Sequence, residues 1–344
     1  MPYIVTWSIS IDGKDYSSSF NPYIMEIEVT DGSGNGGDSA RITLADDGRI
    51  IMPRKGAEIA IGIMGEPVFA GILKSPRCTA SKGGGSQMIL NAAGHDTEGP
   101  GKQGRHFAKE NATLGEYLTE LGKRAGFTIK IDPELAKIKR TFWASEGRSF
   151  LHHAQAIANE NAATLKVSGK TAILAKRGAG MTPSGKALPT IQVRRGVNLI
   201  SSDMEPYDAS AVFRDVRLQT FDRKTAKFVE EKTDIRPGAG TIGGATALPL
   251  GLASDKQDAK DKGKGRANQA ERDKGGGTVE IEIEPRARAE GTCVISGVRP
   301  GIDGTYRIES VTHTLRGGDS AATTKLTLKQ PGDDTAKDER KAGQ

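Results

Sequence analysis

Five histidines are the side chains of this 344-residue sequence best suited to proton transfer or metal binding. They are His95, His106, His152, His153 and His313. None belongs to an H-E-x-x-H motif, and neighbours on a helix point about 100° apart, so His152 and His153 cannot readily share one metal. His95 precedes Asp96, but no G-x-S-x-G sequence supplies a nucleophile for that pair. We therefore predict packing or surface roles for the histidines, with no catalytic residue and no metal ligand.

Two glycine-containing segments resemble nucleotide-binding loops but lack the elements that such loops need. Gly32–Gly37 matches G-x-G-x-x-G, yet a strand pattern follows it instead of the helix whose N-terminus would hold a pyrophosphate. Gly169-Lys170-Thr171 resembles the end of a P-loop, but Thr164 stands where the first glycine belongs. We interpret the first segment as a loop tip and the second as a tight hairpin, and we expect no cofactor.

Acidic and basic residues leave two functional alternatives open. Pairs such as Asp46-Asp47 and Glu230-Glu231 could serve a glycoside hydrolase, although a sequence does not fix the distance between two carboxylates. The 49 Lys and Arg residues only slightly exceed the 43 Asp and Glu residues, and the two signs are interleaved. This pattern favours a mixed solvated surface over a polyanion-binding face. A cell-wall hydrolase and a polyanion-binding module remain the alternatives to a non-enzymatic role.

The cysteines and the lack of long apolar runs indicate where the chain is made. Cys78 and Cys293 are too few and too distant for a zinc motif or a disulfide framework. The sequence has no run of about 18 apolar residues, and its N-terminus does not resemble a signal peptide. We therefore expect cytosolic synthesis with free thiols and no membrane insertion.

Short strands are the main elements that must position these residues. Aromatic residues make up only 5% of the chain and glycines number 44, which is typical of small aliphatic cores and many turns. In residues 1–98, apolar and polar side chains alternate in several short runs. One run contains Tyr3, Val5, Trp7, Ile9 and Ile11. This spacing predicts a first small antiparallel β-barrel domain.

Residues 99–190 differ in character and predict a small α/β insertion domain. Thr113-x-x-Glu116 is a capping box ahead of an apolar stretch with helical periodicity, and Gly126 stands where that helix should end. Ser149 can cap a further helix, and a hairpin pattern follows it.

Residues 191–330 return to strand patterns and predict a second β-barrel domain. The charged segment 254–274 lies inside it, and its Gly263 and Gly265 would each cost a helix about 1 kcal/mol relative to Ala. We interpret the segment as a solvated helix, with a flexible linker as the alternative. Residues 331–344 are charged, lack bulky apolar side chains and are expected to form a disordered tail.

The C-terminal strands carry a recognisable order of features. A glycine turn precedes an aromatic strand with a Val-x-His sequence, then a glycine pair and a Thr-rich last strand. These positions are Gly304, Tyr306, Val311, His313, Gly317, Gly318, Thr324 and Leu326. With the upstream strand Phe69–Leu73 and the helix and strand from Leu114 to Ile129, this order resembles the phage late control D family, the tail-hub proteins of phage baseplates. The segment Trp143–Arg148 departs from the pattern of that family.

The resemblance implies a mainly β fold and a ring-shaped assembly. Such hubs are similar to the N-terminal hub part of type VI secretion spike proteins, with two related β-barrels and an α/β insertion. A homotrimeric ring is expected, in which six barrels give pseudo-sixfold symmetry. The ring would join the hexameric tail tube to a trimeric central spike and continue the channel.

The same resemblance implies partners and a location rather than a reaction. The expected partners are the tail tube protein, the central spike protein, other baseplate proteins and the tape measure protein. DNA would pass through the channel without specific binding. Because the chain stops soon after its final strand, the spike tip and any wall-cutting enzyme would be separate proteins. The protein is expected in the tail baseplate of the virion, after synthesis in the host cytoplasm, with His313 in a packing or hydrogen-bonding role.

Overall fold

Strands make up most of the regular structure of the chain, as the sequence predicts. The computed structural model describes residues 5–33, 37–83, 85–96, 99–176, 187–205, 213–222, 225–235, 245–248, 253, 256–273, 275–317 and 322–329. In these ranges, no helix is both long and apolar enough to cross a membrane. The predicted tail 331–344 and Gly318 lie outside them.

The N-terminal segment forms the first half of a large sheet. Its elements are β1 (Trp7–Ile11), β2 (Lys14–Asp15), α1 (Ser17–Phe20), β3 (Ile24–Gly32), β4 (Ser39–Ala45), β5 (Glu58–Ile63), β6 (Glu66–Leu73), β7 (Arg77–Ser81) and β8 (Gly85–Ala93). The period of two places alternate side chains on the buried face, so that Ile27, Val29 and Asp31 of β3 all point inward. The apolar inward residues form one core, with Ile9, Ile42 and Leu90 at most 1% exposed.

The insertion follows as two small sheets with three helices, one of which is a single turn. Its elements are β9 (Ala108–Thr113), α2 (Leu114–Arg124), β10 (Thr128–Ile131), α3 (Pro133–Ala136), β11 (Lys139–Ala144), α4 (Phe150–Glu160), β12 (Ala163–Ser168) and β13 (Thr171–Lys176). The capping box is confirmed: the Glu116 N–H donates to Thr113 Oγ1 at 3.2 Å, and the Thr113 N–H donates to Glu116 Oε2 at 2.9 Å. Leu118 and Phe150 are fully buried in the core of this unit.

The C-terminal segment supplies the rest of the large sheet and a smaller sheet beside it. Its elements are β14 (Thr190–Arg194), β15 (Leu199–Glu205), β16 (Asp215–Asp222), β17 (Lys227–Asp234), β18 (Thr246–Ala247), α5 (Lys256–Arg272), β19 (Gly276–Glu282), β20 (Thr292–Ser296), β21 (Gly304–Arg316) and β22 (Thr323–Lys329). Ile191, Val279, Val311 and Leu326 are at most 4% exposed in its core. The smaller sheet has the order β17-β16-β18.

The large sheet is continuous, and this corrects the expectation of two separate closed barrels. Fourteen strands run in the order β15-β19-β22-β21-β3-β4-β8-β6-β5-β1-β2, with β7 on β8, β20 on β21 and β14 on β20. Within the described residues, this path closes on itself nowhere. The reason is the length of β21, whose 13 residues pair first with β20 and then with β3. The two halves therefore merge where barrel closure was expected.

The two halves nevertheless share one connectivity. In the first, β3 pairs with β4, β4 with β8, and β8 with β7, all antiparallel. In the second, β15 pairs with β19, β19 with β22, and β22 with β21, again all antiparallel. The first strand differs, because β1 is antiparallel to β5 whereas β14 is parallel to β20.

The charged segment forms a helix, α5, over Lys256–Arg272, so the linker alternative is wrong there. The helix is packed instead of solvated as predicted, since Asp258, Ala259 and Ala267 are at most 6% exposed. Its glycines permit close packing on two sides. A Cβ atom at Gly263 would lie 2.3 Å from Thr233 Oγ1, and one at Gly265 would lie 2.1 Å from the Glu160 carbonyl oxygen. The helix therefore fits between β17 and the end of α4, where a larger side chain would separate the elements.

Candidate functional site

The family-motif residues lie mainly on β21 and β22, next to the joint between the two halves. His313 is 1% exposed, and its Nδ1 lies 2.9 Å from Thr324 Oγ1. The Thr324 hydroxyl oxygen also accepts the Glu284 N–H at 2.9 Å, so Thr324 links β22 to both His313 and the segment after β19. Burial lowers the pKa of His313 to about 4, and the positive charge of Arg288 acts in the same direction. A neutral, buried ring of this kind packs in the core and shares one hydrogen bond with Thr324.

Two other motif residues face each other across the same strand pair. Val311 and Leu326 are opposite partners in the β21–β22 ladder, and both are 0% exposed. Tyr306 is 1% exposed, and its hydroxyl donates to the Ile302 carbonyl oxygen at 2.7 Å. The buried phenol is therefore satisfied, as its burial requires.

Two of the motif glycines lie at the ends of β21: Gly304 is its first residue, and Gly317 follows its last. Gly304 has φ +143°, a conformation that side chains rarely adopt. At Gly317 the chain passes the start of β3 so closely that a Cβ atom would lie 1.9 Å from the Ile24 carbonyl oxygen. The Gly317 N–H donates to the Met25 carbonyl oxygen at 2.9 Å, which continues the joint beyond the last paired residue.

A partly buried charge cluster links the insertion to the first half at this joint, with Asp31 its most buried member. Lys166 Nζ on β12 lies 2.6 Å from Asp31 Oδ1 and 3.7 Å from Asp38 Oδ1. Asp31 Oδ2 also accepts the Ala289 N–H of the second half at 3.1 Å. Burial opposes ionisation of Asp31, but attraction to Lys166 and the hydrogen bonds outweigh it, so the pKa of Asp31 lies below its usual value. Three parts of the chain thus meet at one carboxylate.

Asp38 contacts the same lysine, but its ionisation is less favourable than that of Asp31. Burial raises the pKa of Asp38 to about 6; the Lys166 charge opposes this rise and the Asp31 carboxylate adds to it. For Lys166, burial favours the neutral form, but the two carboxylates outweigh it and raise the pKa of the amine. One ammonium group therefore neutralises two carboxylates. Ionisation is favourable for Asp31 and unfavourable for Asp38.

Arg272 makes a second link, between α5 and both halves. Its Nη1 lies 3.0 Å from Glu290 Oε1, and its Nη2 donates to Ser33 Oγ at 3.0 Å. Thr164 Oγ1 of the insertion donates to the same Glu290 oxygen at 3.3 Å. The Arg272 side chain is 4% exposed, so this ion pair is shielded from solvent.

Arg140 makes a third link, between the insertion and α5. Its Nη2 lies 2.7 Å from Asp258 Oδ1, and its Nη1 lies 3.3 Å from Glu160 Oε2. The guanidinium carbon stands 4.3 Å from the Trp143 ring centroid, within the range of a cation–π contact. Lys262 supplies Asp258 with a second cation at 3.0 Å.

These clusters hold chain segments together, and their geometry suits packing better than catalysis. A surface cavity of about 280 Å³ opens beside Asp38 and Lys166, and His95 and His152 also line it. Among the residues that the structure describes, no group of three or more His, Cys, Asp or Glu is placed to hold a metal ion. His153 Nε2 lies 3.0 Å from the Tyr117 hydroxyl, and burial lowers its pKa to about 4.

The remaining sequence candidates occupy ordinary structural positions. His106 and His152 are exposed, and His95 is partly buried. Gly169 (φ +56°) forms the tight turn of the β12–β13 hairpin, as predicted. The segment Gly32–Gly37 joins the paired strands β3 and β4; its residues 34–36 lie outside the described ranges.

The acidic pairs do not form paired catalytic carboxylates. Asp46 accepts the Gly48 N–H at 2.9 Å and Asp47 accepts the Arg49 N–H at 3.0 Å, so both stabilise a turn after β4. Glu230 and Glu231 are adjacent on β17, where successive side chains point to opposite faces of the sheet.

Comparison with known proteins finds similar sequences and similar folds. No family model matches the sequence. Two curated relatives are each named "Probable baseplate hub protein". The relative from Escherichia phage 186 is 25% identical over 192 residues, which cover 54% of this chain and 49% of that protein. The relative from Escherichia phage P2 is 24% identical over 193 residues, which cover 55% and 50%. The chain therefore spans about half the length of the curated relatives it matches.

Solved structures share the fold over nearly the whole chain. The 43 kDa tail protein of prophage MuSo2 from Shewanella oneidensis has a TM-score of 0.70 at 11% identity, covering 94% of this chain and 97% of that one. A tail protein from Neisseria meningitidis MC58 has a TM-score of 0.69 at 15% identity, covering 95% and 97%.

A third structure comes from a secretion system. The E. coli c3393 protein, described as a type VI secretion component similar to T4 tail proteins gp27 and gp5, has a TM-score of 0.55 at 8% identity, covering 98% and 80%. In sequence this chain thus resembles phage baseplate hub proteins and in fold phage tail proteins, which confirms the resemblance predicted from its C-terminal motif.

Proposed function

We propose that this protein is a structural hub of a phage baseplate or of a phage-tail-like particle. Likeness in fold to phage tail proteins over more than nine-tenths of the chain carries the proposal. The two relatives named as probable baseplate hub proteins support the specific place in the tail. The buried ion pairs that tie the insertion to both halves fit a rigid structural part.

The proposed hub is a homotrimer with three parts in each chain, at residues 1–98, 99–190 and 191–330. Two halves of shared connectivity in each of three chains would present six similar units to a hexameric tube. The same ring would present three equivalent faces to a trimeric spike. An obligate interface of this type should bury on the order of 2,000 Å² or more, and closed cyclic symmetry would limit the assembly.

The proposed partners are the tail tube protein on one face and the central spike protein on the other. Other baseplate proteins and the tape measure protein would contact the same ring, and DNA would traverse its channel without specific binding. The role is non-enzymatic and the location is the tail baseplate of the virion.

Light scattering on the purified protein, alone and with its spike partner, tests the assembly. We expect three chain masses, and co-purification with tube and spike proteins expressed from the same tail gene cluster. A strict monomer at high concentration, both alone and with the spike protein, contradicts the proposal.

Two assays distinguish the alternatives. A cell-wall hydrolase would release soluble fragments from purified peptidoglycan and would lose this activity when one carboxylate is removed. A polyanion-binding module would bind duplex DNA with an affinity that falls steeply with salt. Turnover in the first assay or strong binding in the second would argue against a purely structural hub.

A further inference from the structure

Four strands of the large sheet pair with only one other described strand, and they are β2, β7, β14 and β15. The longer exposed edges are those of β7 and β15. Among the described strands, β7 is hydrogen-bonded only to β8, and β15 only to β19. All five residues of β7 are exposed, as are residues 200–203 of β15. Each strand therefore presents unpaired backbone N–H and C=O groups, which proteins normally cover, charge or pair.

The chain already contains a joint between two such edges. The second part of β21 pairs with β3, from Ser310 opposite Gly32 to Arg316 opposite Glu26, and this ladder joins the halves. In the shared connectivity, β7 corresponds to that part of β21, because each lies against the last strand of its half. β15 corresponds to β3, because each pairs with the next strand of the large sheet along the chain, β19 or β4. The edges of β7 and β15 are therefore equivalent to the two strand edges that pair with each other where β21 meets β3.

We infer that β7 of one copy pairs antiparallel with β15 of a second copy of this chain. The contact repeats between copies the β3–β21 ladder that each copy contains. This inference rests on the proposed homotrimer and names the surfaces that close it. It is a head-to-tail contact, so it uses two different edges and continues around a ring.

The difference in burial between β21 and β7 is what we expect if β7 gains a neighbouring strand in the assembly. Val311, His313 and Leu315 of β21 are at most 4% exposed beside β3. The equivalent strand β7 has the equivalent neighbour, β8, on one side and no described strand on the other, and all its residues are exposed. A strand on the second edge would therefore give β7 the environment that β21 already has.

The internal ladders also fix the register of the inferred joint. Ile27, Ile42 and Leu90 are successive partners across β3, β4 and β8. Ser202, Val279 and Leu326 are successive partners across β15, β19 and β22. We align the halves through Ile42 and Val279, which are 1% and 0% exposed.

In this alignment, Cys78 takes the place of His313, because it lies opposite Met88 as His313 lies opposite Thr324. Met204 takes the place of Val29, which pairs with His313. Cys78 of one copy should therefore lie opposite Met204 of the next copy.

One further pair in this register is complementary in charge. Arg77 precedes Cys78 and Glu205 follows Met204, so the two side chains lie opposite each other in antiparallel strands. Opposite charges directly across a ladder stabilise strand pairing.

Cysteine cross-linking tests the joint with a thiol that the chain already carries. Cys78 is exposed and Cys293 is buried, so the native chain offers one accessible thiol. Opposed residues in antiparallel strands have Cα atoms about 4.5–5.5 Å apart, a distance that a disulfide spans. We expect mild oxidation of the Met204→Cys variant to give covalent dimers and then closed trimers on non-reducing gels. The matched control is Asp203→Cys, whose side chain points to the other face and should give at least tenfold less product.

Each outcome bears on the inference. Equal cross-linking of the Asp203→Cys and Met204→Cys variants, or no cross-linking of Met204→Cys, overturns the edge pairing. Dimers linked through Cys78 alone in the unsubstituted protein would indicate a symmetric contact and overturn it as well. A charge exchange gives an independent readout: Arg77→Glu and Glu205→Arg should each weaken self-association several-fold, and the double variant should restore it.

Light scattering on the same variants separates this inference from the proposed hub function. If light scattering shows a trimer but oxidation of the Met204→Cys variant gives no disulfide, the edge pairing is overturned and the hub proposal still stands. A monomer, both alone and with the spike protein, overturns both.

Discussion

The ammonium group of Lys166 lies 2.6 Å from Oδ1 of Asp31, although 135 residues separate them in the sequence. This pair ties the insertion to the strand that joins the two halves of the large sheet. Because Asp31 also accepts the Ala289 N–H, its removal would disturb all three parts of the chain at once.

The acidic pair Asp31 and Asp38 should respond in opposite ways to neutralisation. The pKa of Asp38 is raised to about 6, so the stability that it contributes is fully present below pH 3.8 and is lost as the pH rises through 6. We expect Asp38→Asn to raise the free energy of unfolding at pH 8 by about 1–3 kcal/mol. The pKa of Asp31 is lowered, so Asp31→Asn should destabilise the protein at the same pH. Urea unfolding of both variants at pH 5 and 8 checks the signs, and equal signs at pH 8 would refute this account.

His313 should make the protein sensitive to acid. Its pKa is lowered to about 4 by burial, so the stability that it contributes is present above pH 6.5 and is lost as the pH falls toward 4. A neutral replacement, His313→Gln, has no such loss. We expect the stability advantage of the native protein over this variant to shrink by about 2 kcal/mol between pH 7 and pH 5. A constant difference across this range, measured by urea unfolding, would contradict a buried neutral ring.

Replacing Gly265 by alanine should destabilise the protein, although this substitution usually stabilises a helix. Replacing a glycine in a helix interior by alanine normally gains about 1 kcal/mol. Here the new Cβ atom would lie 2.1 Å from the Glu160 carbonyl oxygen, so α5 must move away from α4. We expect Gly265→Ala to lower the free energy of unfolding by about 1–3 kcal/mol. The exposed neighbour Lys264 provides the control, and Lys264→Ala should change it by less than about 0.5 kcal/mol.

Arg140 should matter mainly because of the carboxylate that it neutralises. Asp258 is 2% exposed, and truncation of one partner of a buried ion pair typically costs about 3–5 kcal/mol. We expect a loss near the lower end for Arg140→Met, because Lys262 still contacts Asp258. Adding Asp258→Asn should recover at least half of the loss in thermal or urea unfolding. A double variant as unstable as the sum of the two single variants would show that the two residues act independently.

Local patterns in the sequence predicted local structure well. The capping box at Thr113, the helix at 256–272 and the hairpin turn at Gly169 each depend on residues close in the chain, so their signals lie within one short window. The family motif also marked real strands. Burial and pairing on β21 and β22 agree with a packing role for His313.

The arrangement between distant segments was beyond these local patterns. The joint between β3 and β21 connects residues about 280 positions apart, and no periodicity within either strand indicates the other. The 13-residue length of β21 decides against separate barrels, but a single strand at Tyr306–Thr314, as the sequence predicts, does not indicate which strands pair with it. Asp31 did leave a signal: it continues the inward alternation of Ile27 and Val29, where a carboxylate must find a buried partner.

Because β21 contributes side chains to the cores of both halves, the two halves should unfold together. Its first residues line the core of the second half, and Leu315 near its end lines the core of the first. If either half unfolds, the other half loses the packing of β21 against its core, and its apolar side chains become exposed. The two halves should therefore lose structure in one cooperative step, with one calorimetric transition instead of two.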